Sequence, residues 1–259
     1  ETVETFTSDL LREYFKNAYT PRNLIVSAVG NIEHDRVREL VDEKFGALKA
    51  SGAEAPEQAP RVFPKVLIRN KDLEQSHVCL GASSYPQNHD GRYSSYVLNT
   101  LLGGSMSSRL FQNVREKRGL AYAVFSGLSA YRDAGSFTIY AGCANEAVGE
   151  VIDLVVEELK NVKQSQVPEA ELQRSKDHLK GSLMLSLENT ASRMSHLARQ
   201  EIYFDRQFGL DETLQGIERV TSAEVQRVAA DLFQNGALSA TVLGDVNGLQ
   251  IPRERLDLE

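Results

Sequence analysis

Arg115 and Tyr122 lie seven residues apart in the stretch SSRLFQNVREKRGLAYAVFSG, residues 107–127. An arginine offers a planar fork of donors and a tyrosine offers a phenol. A peptide carbonyl, or the oxyanion that forms from it during cleavage, can accept from both. The same residues also have a structural use. Arg115, with Lys117 and Arg118, places cations at the end of a helix, and Tyr122 suits the start of a strand. On spacing alone the structural account covers both residues.

Other chemistries find less support. The histidines are His34, His77, His89, His178 and His196, and no two sit at i, i+3 or i, i+4. Neither His-Glu-x-x-His nor its inverse occurs, so no metal site is expected within this chain. No Gly-x-Ser-x-Gly elbow marks a nucleophilic serine. Gly103-Gly104-Ser105 lacks the Gly-Lys-Ser/Thr of a phosphate loop, and its glycines end one helix before the next begins.

The elements around the Arg–Tyr pair follow from local pattern. Ser105 or Ser107 can cap a helix whose apolar face is Met106, Leu110, Phe111 and Val114. Gly119 can take the left-handed conformation that stops it. Tyr122 opens a strand that runs to Tyr131, Arg132-Asp133-Ala134-Gly135 makes a turn, and Phe137, Ile139, Ala141 and Cys143 alternate down a second strand. Helix, glycine turn and hairpin therefore present Arg115 and Tyr122 across one turn.

Elsewhere, helices are expected at 8–19, 34–45, 93–102, 148–162, from Pro168 through Leu187, at 192–204, 210–218 and 221–233. Strands are expected at 24–29, 66–69, 77–83 and 238–243. The aperiodic Ala-, Pro- and Glu-rich segment from Ala50 to Pro60 has a linker composition. The domain boundary is placed there: residues 1–49, a linker at 50–61, and a domain at 62–259.

The 259 residues carry a formal charge of -7, which argues against a nucleic-acid surface. No apolar run approaches the roughly 18 residues of a membrane helix, so no membrane partner is expected. Cys79 and Cys143 read as free thiols within strands. The absence of a leader says nothing about compartment, and the cytoplasm and periplasm both stay open.

A shift of 214 positions carries Thr7-Ser8 onto Thr221-Ser222, Leu24 onto Leu238 and Gly30 onto Gly244 without a gap. A helix and strand at the start thus repeat at the end. By this arithmetic, about 150 residues of a first repeat are expected before Glu1.

The segment 107–127 resembles the second-domain signature of the pitrilysin- or insulinase-type zinc metallopeptidases, which include insulin-degrading enzymes, mitochondrial processing peptidase and bacterial zinc proteases. YTPRNLIVSAVGNIEHDRVRELVDEKFG resembles the end of the family's first domain. EQSHVCLGASSY, LLGGSMSSRL, LKGSLMLSLENTASRMSHLARQEIYF and VTSAEVQRVAADLF resemble successive blocks of its second.

The resemblance implies an α+β fold of the mitochondrial-processing-peptidase type. A mixed sheet is covered by helices, with one complete domain at 62–259 following the remnant of a homologous first domain at 1–49. It implies a zinc-dependent endopeptidase whose zinc sits in the first domain, on an inverted His-x-x-Glu-His helix absent here. This chain alone is then expected to be inactive and to bind no zinc. It assigns Arg115 and Tyr122, at the family's spacing, to substrate and transition-state contacts. The expected partners are a peptide substrate and further family subunits, in homo- or heterodimers. The short Gly103–Ser107 segment lacks the long glycine-rich loop of the processing peptidase's non-catalytic subunit, which favours a bacterial-type member. The alternative is a zinc-less partner or structural core subunit. Retention of both Arg115 and Tyr122 favours the peptidase, or a partner that supplies the pair to another chain.

Overall fold

A computed structural model describes residues 2–48 and 58–259. The expected linker at 50–61 lies, as far as residue 57, outside the described residues. In chain order the main elements are α1 (Ser8–Ala18), α2 (His34–Phe45), β1 (Val66–Asn70), β2 (Ser76–Ser84), α3 (Arg92–Leu102), a π-helical turn (Phe111–Glu116), β3 (Ala121–Ala130), β4 (Gly135–Cys143), α4 (Val148–Gln164), α5 (Glu169–Ser186), α6 (Thr190–Phe204), α7 (Leu210–Glu218), α8 (Ser222–Leu232) and β5 (Ser239–Gly244). The chain divides into two compact units. One comprises residues 1–58 and 185–207, and the other 59–184 and 208–259.

The larger unit is built on a five-stranded sheet in the order β1-β5-β2-β4-β3. β1 runs parallel to β5, and every other neighbouring pair is antiparallel, so the sheet is mixed. Alternation decides which side chains enter the core. Val78, Leu80, Ala82, Phe137, Ile139, Ala141, Ala240 and Val242 are buried. Their neighbours His77, Phe125, Thr138 and Thr241 lie on the opposite, more open face. α4 and α8 pack on the strands and on each other, and α3 packs on α8 and β3. Phe137 meets Phe233 edge-on at 5.2 Å, joining sheet to helix layer. The α+β fold with a helix-covered mixed sheet agrees with the sequence reading. Both cysteines are free, Cys143 buried and Cys79 half-buried.

Gly103 has a packing reason rather than a phosphate-binding one. A Cβ there would stand 2.4 Å from the Ser126 amide nitrogen. That close approach lets Ser126 donate its N–H to the Gly103 carbonyl at 3.1 Å, and its hydroxyl to the Asn99 side chain at 2.8 Å. The end of α3 is thereby docked on β3.

The smaller unit contains α1, α2 and α6. The repeated elements share local geometry. Thr7 and Thr221 have the same backbone angles, φ −104° and ψ 158°, and each hydroxyl accepts the N–H three residues on. Only Thr221 completes a capping box, because Glu224 reaches back to its N–H whereas Leu10 cannot. Their surroundings differ. Val225, Val228 and Phe233 are buried, whereas the equivalent Leu11, Tyr14 and Tyr19 are exposed.

Three local expectations are corrected. The run Leu24–Val29 forms no strand, although its counterpart β5 lies between β1 and β2 in the sheet. A strand needs a ladder partner, and 24–29 has none among the described residues. Ser105 and Ser107 make no cap, since helix begins at Arg109 and widens to π at Phe111. Met106 is not on the inner face either. It is 75% exposed, because the chain is still in a turn there.

Candidate functional site

Two backbone irregularities place Arg115 and Tyr122. The first is the π-helical turn, where Val114 and, just before the turn, Leu110 are fully buried and fix the helix to the core. Lys117 donates to the Gln112 carbonyl at 3.0 Å, closing the wide i to i+5 turn. Gly119 then takes φ +62°, and Leu120 donates back to the Val114 carbonyl at 3.0 Å. Such turns are uncommon and recur at functional sites.

The second is a bulge at the start of β3. Ala121 pairs with Cys143 and Ala123 with Gly142, so Tyr122 is the extra residue. A bulged residue leaves the alternation and its side chain is re-aimed. Tyr122 is accordingly 77% exposed at the beginning of an edge strand.

The two side chains meet. The Arg115 guanidinium carbon lies 4.7 Å from the centroid of the Phe111 ring and 5.7 Å from that of Tyr122. This cation–π arrangement orders the guanidinium and leaves its edge N–H groups open to an acceptor. Glu116 is its nearest acidic neighbour, with 3.9 Å between Arg115 Nε and a carboxylate oxygen. The Tyr122 hydroxyl has no hydrogen bond within the described residues. A planar fork and a free phenol thus sit together at the surface, as a carbonyl or carboxylate acceptor requires.

Sequence reasoning did not single out Arg109, Asn113, Glu158 and Glu171, which tie the same short helix to α4 and α5. The i, i+4 spacing of Arg109 and Asn113 was visible, but Glu171, the partner of Arg109, is 62 residues away and Glu158, the partner of Asn113, is 45.

No group of three His, Cys, Asp or Glu side chains among the described residues could hold one metal ion. Three of the histidines are engaged separately. His77 Nδ1 lies 2.8 Å from the Tyr140 hydroxyl. His89 stacks on Tyr85 and accepts the Gly91 N–H at 3.0 Å. His196 pairs with Gln200 at 2.8 Å. The described residues therefore do not fit a zinc ion. A shallow cavity of about 290 Å³ is lined by Ser105, Ser107, Arg174, Asp177 and His178.

Residues 5–179 match the family model described as the peptidase M16 inactive domain. The chain is 39% identical over 233 residues to an uncharacterized zinc protease, YmxG, of Bacillus subtilis, covering 90% of this chain and 57% of that protein. An uncharacterized zinc protease of Mycobacterium tuberculosis is 38% identical over 249 residues, covering 94% of this chain and 57% of that protein. The chain spans little more than half the length of these relatives. Its fold is similar to the crystal structure of a peptidase M16 inactive domain from Pseudomonas fluorescens, with a TM-score of 0.86 at 21% identity over 96% of this chain and 60% of that one. It is equally similar to a chain of complex III2 from Candida albicans, with a TM-score of 0.86 at 18% identity over 98% of this chain and 64% of that one. The matched range contains the helix, glycine turn and hairpin that carry Arg115 and Tyr122, and the signature at 107–127 pointed to the same group: the chain belongs to the peptidase M16 family.

Proposed function

We propose that the chain is the substrate-gripping part of a zinc-dependent metalloendopeptidase that hydrolyses peptides. In this reading residues 62–259 form the second domain, residues 1–49 end a homologous first one, and the second domain closes the chamber over the substrate. The observation that carries the reading is the Arg115–Tyr122 pair, two donors held side by side at the surface. Relatives near 40% identity that are named zinc proteases support the reaction class. A zinc ion, which the names of these relatives imply, would be held by residues outside this chain and would supply an activated water. Arg115 donates to the substrate backbone and stays charged throughout. Tyr122 donates its phenolic proton as a hydrogen bond to the carbonyl oxygen as negative charge gathers there. The Phe111 ring keeps the guanidinium facing the acceptor while peptide enters.

The test is cleavage of unstructured peptides by the full-length protein, with zinc removed by a chelator and then restored. Cleavage that stops and returns with zinc, and that falls when Tyr122 or Arg115 is altered, supports the reading. Cleavage indifferent to both overturns it.

A second reading is a subunit without zinc, acting as structural core or partner. Its support is the shared fold with a complex III2 chain. A full-length protein that never cleaves peptide, yet co-purifies in fixed stoichiometry with another family chain, would favour it.

A further inference from the structure

Arg109 stands six residues before Arg115, at the start of the same short helix. Its Nε and Nη2 donate to the two oxygens of Glu171 on α5, at 2.8 and 2.9 Å. Its Nη1 lies 3.9 Å from Glu158 on α4. One helical turn later, Asn113 donates to the other oxygen of that Glu158. Two positions one turn apart on one short helix are therefore tied to two long helices. The side chains of Arg109, Glu158 and Glu171 are only 18%, 12% and 22% exposed. Burial holds the Glu158 carboxyl above its ordinary range, against the opposing pull of Asn113 and Arg109.

A buried ion cluster is a poor device for net stability, because desolvation cancels much of the attraction. A bidentate fork does fix geometry, and geometry is what this helix needs. A π turn that relaxed to α would slip by one residue and rotate later side chains by roughly 100° about the axis. Arg115 would keep Phe111 as its i, i+4 neighbour but would turn relative to Tyr122, whose ring centroid lies 5.7 Å from its guanidinium carbon, and its ionic neighbour Glu116 is half-exposed and weakly held. The turn is pinned after Arg115 by Gly119 and by the Leu120-to-Val114 bond. It is pinned before Phe111 by Arg109.

We infer that Arg109 is a positioning residue: through Glu171 and Glu158 it locks the register of the π-helical turn that presents Arg115 to substrate. The inference rests on the reading of Arg115 given above.

The experiment is a double-mutant cycle on the full-length protein, with hydrogen exchange measured on the same variants. Arg109→Lys keeps the charge and loses the fork. It is expected to lower peptide-cleavage kcat/KM by about ten- to a hundredfold, divided between kcat and KM as for Arg115→Lys. Introduced into Arg115→Ala, it should lower kcat/KM no further. Amides 111–116 should exchange about tenfold faster, while those of Val78 and Ile139 stay unchanged. An undiminished effect of Arg109→Lys in the Arg115→Ala background overturns the inference, and so does unaltered exchange at 111–116. If Arg115→Ala is itself silent, the parent reading fails and the positioning role with it. The exchange data distinguish that case, because they read the tie to α4 and α5 alone.

Discussion

Removing one oxygen atom, by Tyr122→Phe, separates a structural from a substrate-binding role for the pair. The hydroxyl has no hydrogen-bond partner among the described residues, and Tyr122 is 77% exposed. The substitution retains the ring, whose centroid lies 5.7 Å from the Arg115 guanidinium. The stability change is therefore expected within about 0.5 kcal/mol, as for surface substitutions that touch nothing. In a chain of this size that is a shift of about 1–2 °C in Tm. If the phenol donates to the developing oxyanion, the loss is that of one transition-state donor, about 2.7–4 kcal/mol. Each 1.36 kcal/mol is about a tenfold change in rate, so kcat/KM falls about a hundred- to a thousandfold. A phenol that grips only the ground-state backbone gives a smaller loss, about tenfold, mostly in KM. The assay is steady-state cleavage of a quenched fluorescent peptide by the full-length protein, with zinc content and Tm measured for each variant. Arg115→Lys is the companion. It surrenders the guanidinium stack on Phe111, worth about 0.5–1 kcal/mol at an exposed site, and the planar fork. Wild-type kcat/KM in Tyr122→Phe, with zinc occupancy unchanged, would refute the reasoning. So would an activity loss that follows Tm.

Other outcomes test the scaffold. Gly103→Ala forces a Cβ to 2.4 Å from the Ser126 backbone, which cannot move aside as a side-chain tip could, so a loss of about 1–3 kcal/mol is expected in urea unfolding; an unchanged midpoint contradicts the close approach. Thr221→Ala removes the hydroxyl side of a capping box, the bond accepted from the Glu224 N–H and the one donated to the Glu224 carboxylate, and should cost about 1–2 kcal/mol, and more than Thr7→Ala, which removes a single cap bond; equal costs would show that the hydroxyl's bond to the Glu224 carboxylate contributes nothing. Burial, aided by Arg199, holds the His196 ring below its ordinary 6.5. A depressed folded pKa stabilises the fold above about 6.5, and this contribution is lost as the pH falls from there through the lowered value. Unfolding midpoints at pH 7.5 and 5 should therefore fall less for His196→Gln than for the wild type, and an equal fall would discount the ring.

Much of this protein was determined by local sequence. The cap at Thr221, the apolar period of Val151, Ile152, Val155 and Leu159, and the alternation of Phe137, Ile139 and Ala141 each act within a turn or a strand. Short-range rules could therefore place α8, α4 and β4. The Arg115–Tyr122 spacing and the left-handed Gly119 were legible for the same reason. Only the tertiary structure decided the rest. Leu24–Val29 reads like β5, yet a strand exists only where a partner supplies the ladder, and pattern cannot name partners. The π turn and the bulge each insert one residue into a regular element, which no hydrophobic period announces. They arise because the core fixes Leu110, Val114 and Ala121 while the chain between must still satisfy its hydrogen bonds. The tie from Arg109 to Glu158 and Glu171 joins residues far apart in the chain, where charge type is visible but proximity is not. Sequence named the two donors, and long-range packing set the direction in which each faces.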